Sequence, residues 1–244
     1  MRRGLTASRQ RAVEEIGAGH VLVGGLPALS AARRVTPDES ISVSGEGPRF
    51  VSRGGEKLAA ALDALHVEVT GRRALDAGAS TGGFTDCLLQ AGASHVVAVD
   101  VGRGQLAWSL RTDSRVTVVE RTNVRSLTPE DIGGPVDLCT ADLSFISLTV
   151  CAPALARCVT ADADLVLLVK PQFEAGRADV GKGGVVRDAS VHRSVLRRVR
   201  DGLAVAGVNA VAVMPSPLRG ADGNIEFFFH ARTDGARALG DDAL

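Results

Sequence analysis

The sequence is poor in aromatic residues and contains no tyrosine. Aromatic side chains make up 3% of its 244 residues, with 7 phenylalanines and 1 tryptophan. We therefore do not expect a surface that binds single-stranded nucleic acid by stacking bases on rows of rings. The formal net charge is zero, from 28 basic and 28 acidic residues, which also excludes a chain that is basic throughout. Only a local basic segment can serve a polyanionic partner.

The sequence also lacks the patterns of metal sites, disulfide frameworks and membrane spans. Its cysteines form no CxxC pair and no His-rich cluster, which predicts free thiols, no zinc site and a reducing compartment; they are Cys87, Cys139, Cys151 and Cys158. No apolar run reaches the roughly 18 residues of a spanning helix, and the polar start is unlike a secretory signal. The sequence thus predicts a soluble, cytoplasmic protein without a metal, a membrane partner or an obligate protein partner.

Lysine is rare as well. The only lysines are Lys57, Lys170 and Lys182, so 25 of the 28 basic residues are arginines. A guanidinium stays protonated, whereas an ammonium can lose its proton. A lysine kept in this background can therefore mark a site that needs titration or a compact charge, with chance retention at the surface as the equally weighted alternative.

The first 34 residues carry a local basic excess, with six arginines against two acids. A short helix capped by Thr6 or Ser8 and strands at 20–23 and 41–43 predict a small module over residues 1–47. A Gly-Glu-Gly-Pro cluster leads into a linker at 48–52. A polyanion is expected to dock on this module.

Residues 53–232 alternate apolar β-like runs with helical stretches, which indicates a mostly parallel sheet covered on both faces. Strands are predicted at 73–76, 95–99, 116–120, 136–141, 163–169, 208–214 and 225–230. Helices are predicted at 54–65, 83–91, 104–110, 147–159 and 188–206. The short Pro- and Gly-rich connection 215–224 favours a hairpin, which would place one antiparallel strand at the end of the sheet. Residues 233–244 form a tail.

The strongest motif is the glycine-containing run at 75–84, which follows the first strand of this domain and opens a helix. Backbone N–H groups and small residues there let a nucleoside cofactor approach closely. Ser80 stands where a dinucleotide fingerprint needs glycine, and Asp100 ends the next strand, from where a carboxylate can hold ribose hydroxyls. S-adenosylmethionine therefore fits better than NAD, with a plain strand-to-helix turn as the alternative.

Two other motif matches are weaker. Residues 78–82 match the G-x-S-x-G elbow of serine hydrolases, but that elbow follows a central strand after several β/α units, whereas this strand is the first of its domain. Residues 176–182 resemble a phosphate loop, yet Gly183 replaces the Ser or Thr that would bind magnesium. A surface loop is the better interpretation of the second match.

Polar residues also follow two predicted neighbouring strands. Asp142 ends one strand and Lys170 the next, so both are expected at the carboxyl edge, where open α/β sheets bind ligands. Glu226 lies in an apolar run and must face solvent or be paired; Lys57 is its possible partner or lies above the same edge. A buried structural ion pair is the alternative for Asp142 and Lys170. Asn123 can read an adenine edge or form a turn.

These motifs together resemble the TlyA-type ribosomal RNA methyltransferases, historically described as haemolysins, over nearly the full chain. The matching segments are 51–58, 75–84, 98–106, 120–123, 141–147, 168–174 and 223–226. The resemblance implies an α/β fold, with an S4-like RNA-binding domain followed by a Rossmann-like methyltransferase of the FtsJ type. It further implies transfer of a methyl group from S-adenosylmethionine to the ribose 2′-hydroxyl of cytidine in 16S or 23S RNA of the 30S or 50S subunit, and a link to capreomycin-type antibiotics.

The resemblance also implies site residues. The family's Lys-Asp-Lys-Glu tetrad falls on Lys57, Asp142, Lys170 and Glu226. The implied cofactor residues are Asp76, Gly78, Ala79, Ser80, Thr81, Gly82, Asp100, Asn123 and Asp142. The expected RNA contacts come from the S4 resemblance and from the basic excess of this module. They are Arg2, Arg3, Ser8, Arg9, Arg11, Arg33 and Arg34. The module departs from S4 domains in one respect: the usual first basic helix is missing, so either the true start lies upstream or the module is shortened.

We expect Lys170 to act as the general base that removes the proton of the ribose hydroxyl. Asp142 then fixes its ammonium group, and Lys57 and Glu226 orient the hydroxyl. The alternatives are a base or protein methyltransferase, an S4-type RNA-binding protein with a relict cofactor fold, and a haemolysin. The run that begins at Asp142 lacks the Asn-Pro-Pro-aromatic motif of base methyltransferases, and no segment supports membrane insertion.

Overall fold

The computed structural model describes residues 3–6, 8–28, 30–43, 49–176, 179–181, 183–220 and 223–244. Two compact units, Met1–Arg49 and Phe50–Leu244, are distinguished by their internal contacts. The predicted Gly-Glu-Gly-Pro linker, together with Arg2 and Lys182, lies outside the described residues.

The first unit contains one helix and a small antiparallel sheet. Helix α1 (Arg9–Gly17) begins after Ser8, whose side chain accepts a hydrogen bond from the Arg11 N–H at 3.1 Å. Strand β1 (Val21–Val23) pairs with both β2 (Leu26–Pro27) and β3 (Ile41–Val43). The sequence did not predict β2, because two residues are too few to show an alternating pattern.

The second unit is built from six helices and seven strands within its described residues. The helices are α2 (Arg53–Ala64), α3 (Gly83–Gln90), α4 (Trp108–Arg111), α5 (Leu148–Arg157), α6 (Pro171–Glu174) and α7 (Ala189–Val205). The strands are β4 (Arg73–Ala77), β5 (His95–Val99), β6 (Val116–Val119), β7 (Val136–Ala141), β8 (Val159–Val169), β9 (Asn209–Pro215) and β10 (Phe227–Arg232). No helix of the described chain is both long enough and apolar enough to cross a membrane.

The strand order of the large sheet is β6-β5-β4-β7-β8-β10-β9. The first five strands are parallel, and β10 runs antiparallel to both of its neighbours. The predicted hairpin between β9 and β10 is therefore correct, but the antiparallel strand lies one place in from the edge instead of at it. Phe228 and Phe229 of β10 are fully buried, and such a strand needs neighbours on both sides, whereas the half-exposed β9 can form the edge.

Both faces of the sheet are covered, as the predicted α/β fold requires. Alternate residues of each strand enter different cores: Leu75 packs with the cluster around α5 and α7, while Ala74 packs with the cluster around α2 and α3. The same alternation separates Cys139 from Leu138 on the central strand β7. This packing fixes the position along the sheet at which each strand ends.

Three predicted element bounds are wrong for local reasons. The helix at 104–110 shrinks to α4, because Gly104 is left-handed (φ 67°) and its N–H donates to Glu120 Oε1 at 2.7 Å. Strand β8 begins at Val159 instead of 163, since Val159 already pairs with β7. Strand β10 begins two residues late, because the Asn224 side chain is bonded to the backbone at 184 and 186.

Candidate active site

The reversed direction of β10 brings two predicted site residues together at one edge of the sheet. Lys170 follows β8, whereas Glu226 precedes β10. Because Val169 pairs with Phe227 in antiparallel register, Lys170 and Glu226 occupy opposite positions just beyond the ladder. An antiparallel strand starts where its parallel neighbours end, so its first residues join the edge at which ligands bind in open α/β sheets.

Two ion pairs occupy this edge. Lys57 Nζ, from α2, lies 2.6 Å from Glu226 Oε2, and Lys170 Nζ lies 2.5 Å from Asp142 Oδ1. Lys57 and Glu226 are only 8% and 2% exposed, and Gln172 Nε2 contacts the second Glu226 oxygen at 3.3 Å. Loss of either partner would leave a buried charge uncompensated. The structure thus pairs Lys57 with Glu226, as the apolar surroundings of Glu226 suggested.

The loop at 142–147, between β7 and α5, lies against the segment that begins with Lys170. Lys170 Nζ donates a hydrogen bond to Ser144 Oγ at 3.0 Å. The ring of Phe145 is 4.9 Å from that of Phe173, measured between centroids. Phe145 is 90% exposed and left-handed, with φ 63°. A non-glycine residue rarely adopts this conformation without support from its surroundings, and the contacts with 170–173 supply that support.

Glu174 holds the far end of the same loop. Its carboxylate accepts a hydrogen bond from Ser147 Oγ at 2.6 Å and another from the Leu148 N–H at 2.7 Å. These donors lie at the N-terminus of α5, where a negative charge is favourable. Burial raises the pKa of the Glu174 carboxyl against the opposing effect of these two hydrogen bonds.

The predicted glycine loop lies beside Asp142. Because Ala77 pairs with Ala141, Gly78 and Asp142 are neighbours at the ends of β4 and β7. Gly78 is left-handed (φ 87°), and a Cβ atom there would lie 2.6 Å from the Asp142 carbonyl oxygen. Only glycine allows this close approach of the two strand ends.

A cavity of about 440 Å³ opens between this loop and the ends of β5 and β6. Polar and apolar side chains both line it: Gly78, Ser80, Asp100, Val101, Gln105, Thr122, Asn123, Val124, Asp142, Leu143, Ser144, Phe145, Ile146 and Cys151. This volume and this mixture are typical of small-molecule sites. Five of the predicted cofactor residues therefore lie around one cavity: Gly78, Ser80, Asp100, Asn123 and Asp142.

The donors and acceptors of this cavity suit a nucleoside. Asp100 accepts hydrogen bonds from the N–H groups of Ser80 (2.8 Å) and Gly102 (2.6 Å), and each of its oxygens keeps a lone pair for a ribose hydroxyl. Asn123 uses its side-chain oxygen to cap a short turn by accepting from the Arg125 N–H at 3.0 Å, while its residue still lines the cavity. The residues present thus fit S-adenosylmethionine.

Asp76 lines neither this cavity nor the smaller one that adjoins it. It is fully buried within β4 and accepts a hydrogen bond from Thr85 Oγ1 at 2.6 Å. Burial raises the pKa of Asp76 to about 7, helped by the charges of Asp142 and Asp100 and opposed by the bond from Thr85. Asp76 therefore lies beneath the glycine loop instead of on its surface.

A second, smaller cavity of about 210 Å³ adjoins the first. The two share Gly78, Ser80 and Asp142. The remaining lining residues of the smaller cavity are Ser52, Arg53, Gly54, Lys57, Ala79, Thr81, Gly83, Phe84, Arg219 and Gly220. The predicted residues Ala79 and Thr81 thus line this cavity, whereas Gly82 is the N-cap residue of α3.

The predicted RNA contacts of the first unit are partly engaged within that unit. Arg3 donates to backbone carbonyls at 36 and 37, Arg33 pairs with Glu39 at 3.0 Å, and Arg11 pairs with acids of its own helix. Ser8 serves as the helix cap. Arg9 and Arg34 are exposed and have no acidic partner among the described residues.

Several residues of the site were not assigned a role from the sequence. They are Arg53, Gln105, Ser144, Phe145, Gln172, Phe173, Glu174 and Arg219. Most of them lie inside the motifs at 51–58, 98–106, 141–147 and 168–174. Their closeness in sequence to the predicted site residues could therefore have indicated a role in the site. Arg219 had no such signal. Among described residues, no group of three His, Cys, Asp or Glu side chains is arranged to hold a metal ion.

Comparison with known proteins places this geometry in a family. The family model of FtsJ-like methyltransferases matches residues 50–233. The 16S/23S rRNA (cytidine-2′-O)-methyltransferase TlyA of Mycobacterium tuberculosis is 56% identical over 241 residues, which cover 98% of this chain and 90% of that protein. A solved structure from Streptococcus thermophilus, provisionally described as a hemolysin, has a TM-score of 0.81 at 38% identity and covers 99% of this chain and 90% of its own. An S-adenosylmethionine-dependent methyltransferase from Mesorhizobium loti shares the fold at 17% identity, with a TM-score of 0.51 over 71% of this chain and 96% of its own.

Proposed function

The chain belongs to the TlyA-type, FtsJ-like methyltransferases, and on that basis we propose that it transfers a methyl group from S-adenosylmethionine to a ribose 2′-hydroxyl of cytidine in ribosomal RNA. The observation that carries this proposal is the pair of adjoining cavities. Gly78, Ser80 and Asp142 line both of them, so a cofactor in one and a ribose in the other would meet beside the Lys170–Asp142 pair.

The bound cofactor supplies an electrophilic methyl group on a positively charged sulfur. The protein must hold a hydroxyl in line with that methyl group and accept its proton, because an alcohol is a weak nucleophile. Lys170 is the proposed base, and Asp142, at 2.5 Å, orients its amino group. The Ser144 hydroxyl, at 3.0 Å from Lys170 Nζ, restricts the same group from a second direction.

Lys57 and Glu226 are the proposed positioning pair for the ribose. Lys57 lines the smaller cavity, and its ion pair with the buried Glu226 fixes the direction of its remaining N–H donors. Those donors would bind the oxygen of the reacting hydroxyl. With the hydroxyl oxygen held by Lys57 and the base fixed at Lys170, the reacting groups are already oriented, which lowers the entropic cost of bringing them together.

The first unit is the proposed RNA-binding module, of the S4 type. Its basic excess and its exposed Arg9 and Arg34 support contact with phosphates. The proposed substrate is RNA of the small subunit, of the large subunit or of both, so the experiment uses each subunit separately.

Tritiated S-adenosylmethionine incubated with separate 30S and 50S subunits tests the proposed function. The subunits must come from cells that lack the modification. We expect label in RNA, located by ribose-methylation mapping at cytidine. Label on a base, label in protein, or no label with either subunit would contradict the proposal, and the last result would favour an RNA-binding protein with a relict methyltransferase fold.

A further inference from the structure

The smaller cavity carries a positive charge that the tetrad does not use. Arg53 and Arg219 both line it, beside Lys57 and Asp142. We propose that Arg53 and Arg219 form a binding site for a phosphodiester of the RNA strand, next to the ribose that is methylated. This inference rests on the proposed function and extends it to the contact that places the RNA backbone at the catalytic edge.

Charge compensation separates these two arginines from the lysines of the tetrad. Lys57 is paired with Glu226 at 2.6 Å, and Lys170 with Asp142 at 2.5 Å. By contrast, no carboxylate of the described chain forms an ion pair with Arg53 or Arg219. Both side chains belong to exposed residues. Within the described residues, the cavity therefore keeps two permanent positive charges after the tetrad is balanced.

The backbone holds both guanidinium groups in place. Arg53 Nη2 donates to the carbonyl oxygen of Arg219 at 3.1 Å, which ties the start of α2 to the segment 216–220. Arg219 Nη1 donates to the carbonyl oxygen of Gly223 at 3.0 Å. A guanidinium has five N–H donors, so each of these contacts leaves most of them available. Planar groups with several free donors bind phosphate oxygens in pairs.

A phosphodiester matches this site better than the amino-acid end of the cofactor does. That end carries an ammonium and a carboxylate, so its net charge is zero, and the adjacent sulfur adds a positive charge. Two further cations would be poorly compensated by such a group. Each phosphodiester of RNA carries one full negative charge, and successive phosphates follow the strand past the reacting ribose.

Substitution of the two arginines by glutamine tests the assignment. Arg53→Gln, Arg219→Gln and the double variant are compared with Arg157→Gln, in which an exposed arginine at the end of α5 is removed from the opposite edge of the sheet. The kcat/KM for methyl transfer to ribosomal subunits and the affinity for the same subunits are measured at several salt concentrations. The affinity for S-adenosylmethionine is measured by calorimetry, which also verifies that each variant is folded.

For each of the two arginines we expect kcat/KM for RNA to fall about tenfold, the loss typical of one charged hydrogen bond. The slope of log affinity for RNA against log salt should become shallower by about 0.7–1 per arginine removed. Affinity for S-adenosylmethionine should stay unchanged, and Arg157→Gln should behave like the wild type. The lysine variants Arg53→Lys and Arg219→Lys should recover part of the loss.

Three results would overturn the inference. Unchanged kcat/KM and salt slope in the double variant would remove both arginines from RNA binding. A loss of cofactor affinity would assign the pair to the cofactor's carboxylate. An equal effect of Arg157→Gln would indicate a general effect of charge. If the wild type itself transfers no methyl group to RNA, the proposed function fails instead, and the two failures are thereby distinguished.

Discussion

Lys170 and Glu174 lie one helical turn apart and bind opposite ends of the same loop. Lys170 Nζ contacts Asp142 and Ser144 at the beginning of the loop, whereas the Glu174 carboxylate accepts hydrogen bonds at its end. The position of the proposed base relative to Asp142 is therefore coupled to a carboxylate that touches neither cavity.

Glu174→Gln tests this coupling. A glutamine side chain offers one acceptor oxygen and an amide N–H₂ group, so one of the two donors loses its partner inside the protein. We expect kcat for methyl transfer to fall about 10- to 100-fold, since a displacement of roughly 1 Å can have that effect. The Kd for S-adenosylmethionine should change little.

Glu174→Asp is the matched control, because it keeps the carboxylate on a shorter side chain and should recover part of kcat. Thermal unfolding of both variants separates positioning from stability. A Glu174→Gln protein that is less stable but has wild-type kcat at a temperature where it is folded would restrict Glu174 to a structural role.

Lys170→Arg tests the base assignment. The substitution keeps a positive charge beside Asp142, but a guanidinium cannot give up its proton in a protein. We expect cofactor and RNA affinities to persist while single-turnover transfer falls about 10²- to 10⁴-fold, the usual range for an acid–base group. Near-normal transfer would leave Lys170 with an electrostatic role only.

Asp100→Ala tests the cofactor site. Loss of a charge-assisted bond to the ribose should weaken binding of S-adenosylmethionine by about 1–3 kcal/mol. Asp100 also accepts the N–H groups of Ser80 and Gly102, so Asp100→Asn is needed to separate loss of charge from loss of loop support. Calorimetry that gives equal affinities for wild type and Asp100→Ala would remove this residue from the site.

Asp76 predicts a pH dependence of stability. Burial raises its pKa to about 7, whereas an unfolded aspartate titrates near ~3.9. Between these values the folded chain keeps a proton that the unfolded chain has lost, so this group makes the protein less stable as the pH rises from about 4 to about 7. Above pH 7 its destabilising effect is complete.

Asp76→Asn removes this titration. We expect the Tm of the variant, relative to that of the wild type, to be higher at pH 8 than at pH 5. Asp63→Asn, at an exposed position on α2, is the control and should show no such pH-dependent difference. A constant difference between Asp76→Asn and wild type across this range would contradict a proton held by Asp76.

Deletion of residues 1–47 tests the RNA-binding module. The large sheet and both cavities are formed entirely by residues of the second unit, so calorimetry should give an unchanged affinity for S-adenosylmethionine. Methylation of ribosomal subunits should be abolished. A truncated protein that methylates subunits at the full rate would show that this module is not needed for substrate binding.

The sequence carried enough information for much of the fold and for the centre of the site. Asp142 and Lys170 each end a parallel strand, and parallel strands end at a common edge, so their proximity followed from topology alone. Glu226 required one more argument, that a carboxylate in an apolar run needs a partner, and Lys57 is that partner in the structure.

The remainder depended on backbone conformations that residue types do not indicate. Ser80 and Phe145 are left-handed although neither is glycine, and long-range contacts hold them there. Arg219 reaches the cavity because residues 216–220 lie against Glu226, and a short segment with no periodic pattern does not indicate its path. The position of β10 inside the sheet followed from burial on both of its sides, which the hairpin signal alone did not specify.

The insertion of β10 between β8 and β9 makes the catalytic edge depend on the last strand of the chain. β10 is the last strand of the sheet in chain order, and a nascent chain folds from its N-terminus onward. Until β10 pairs with β8, Glu226 is not held beside Lys57, and Lys170 has no residue opposite it at the end of the ladder. The catalytic edge is therefore the last part of the sheet to be completed, and a chain cut before its final strand would keep most of the sheet but lose the Lys57–Glu226 pair.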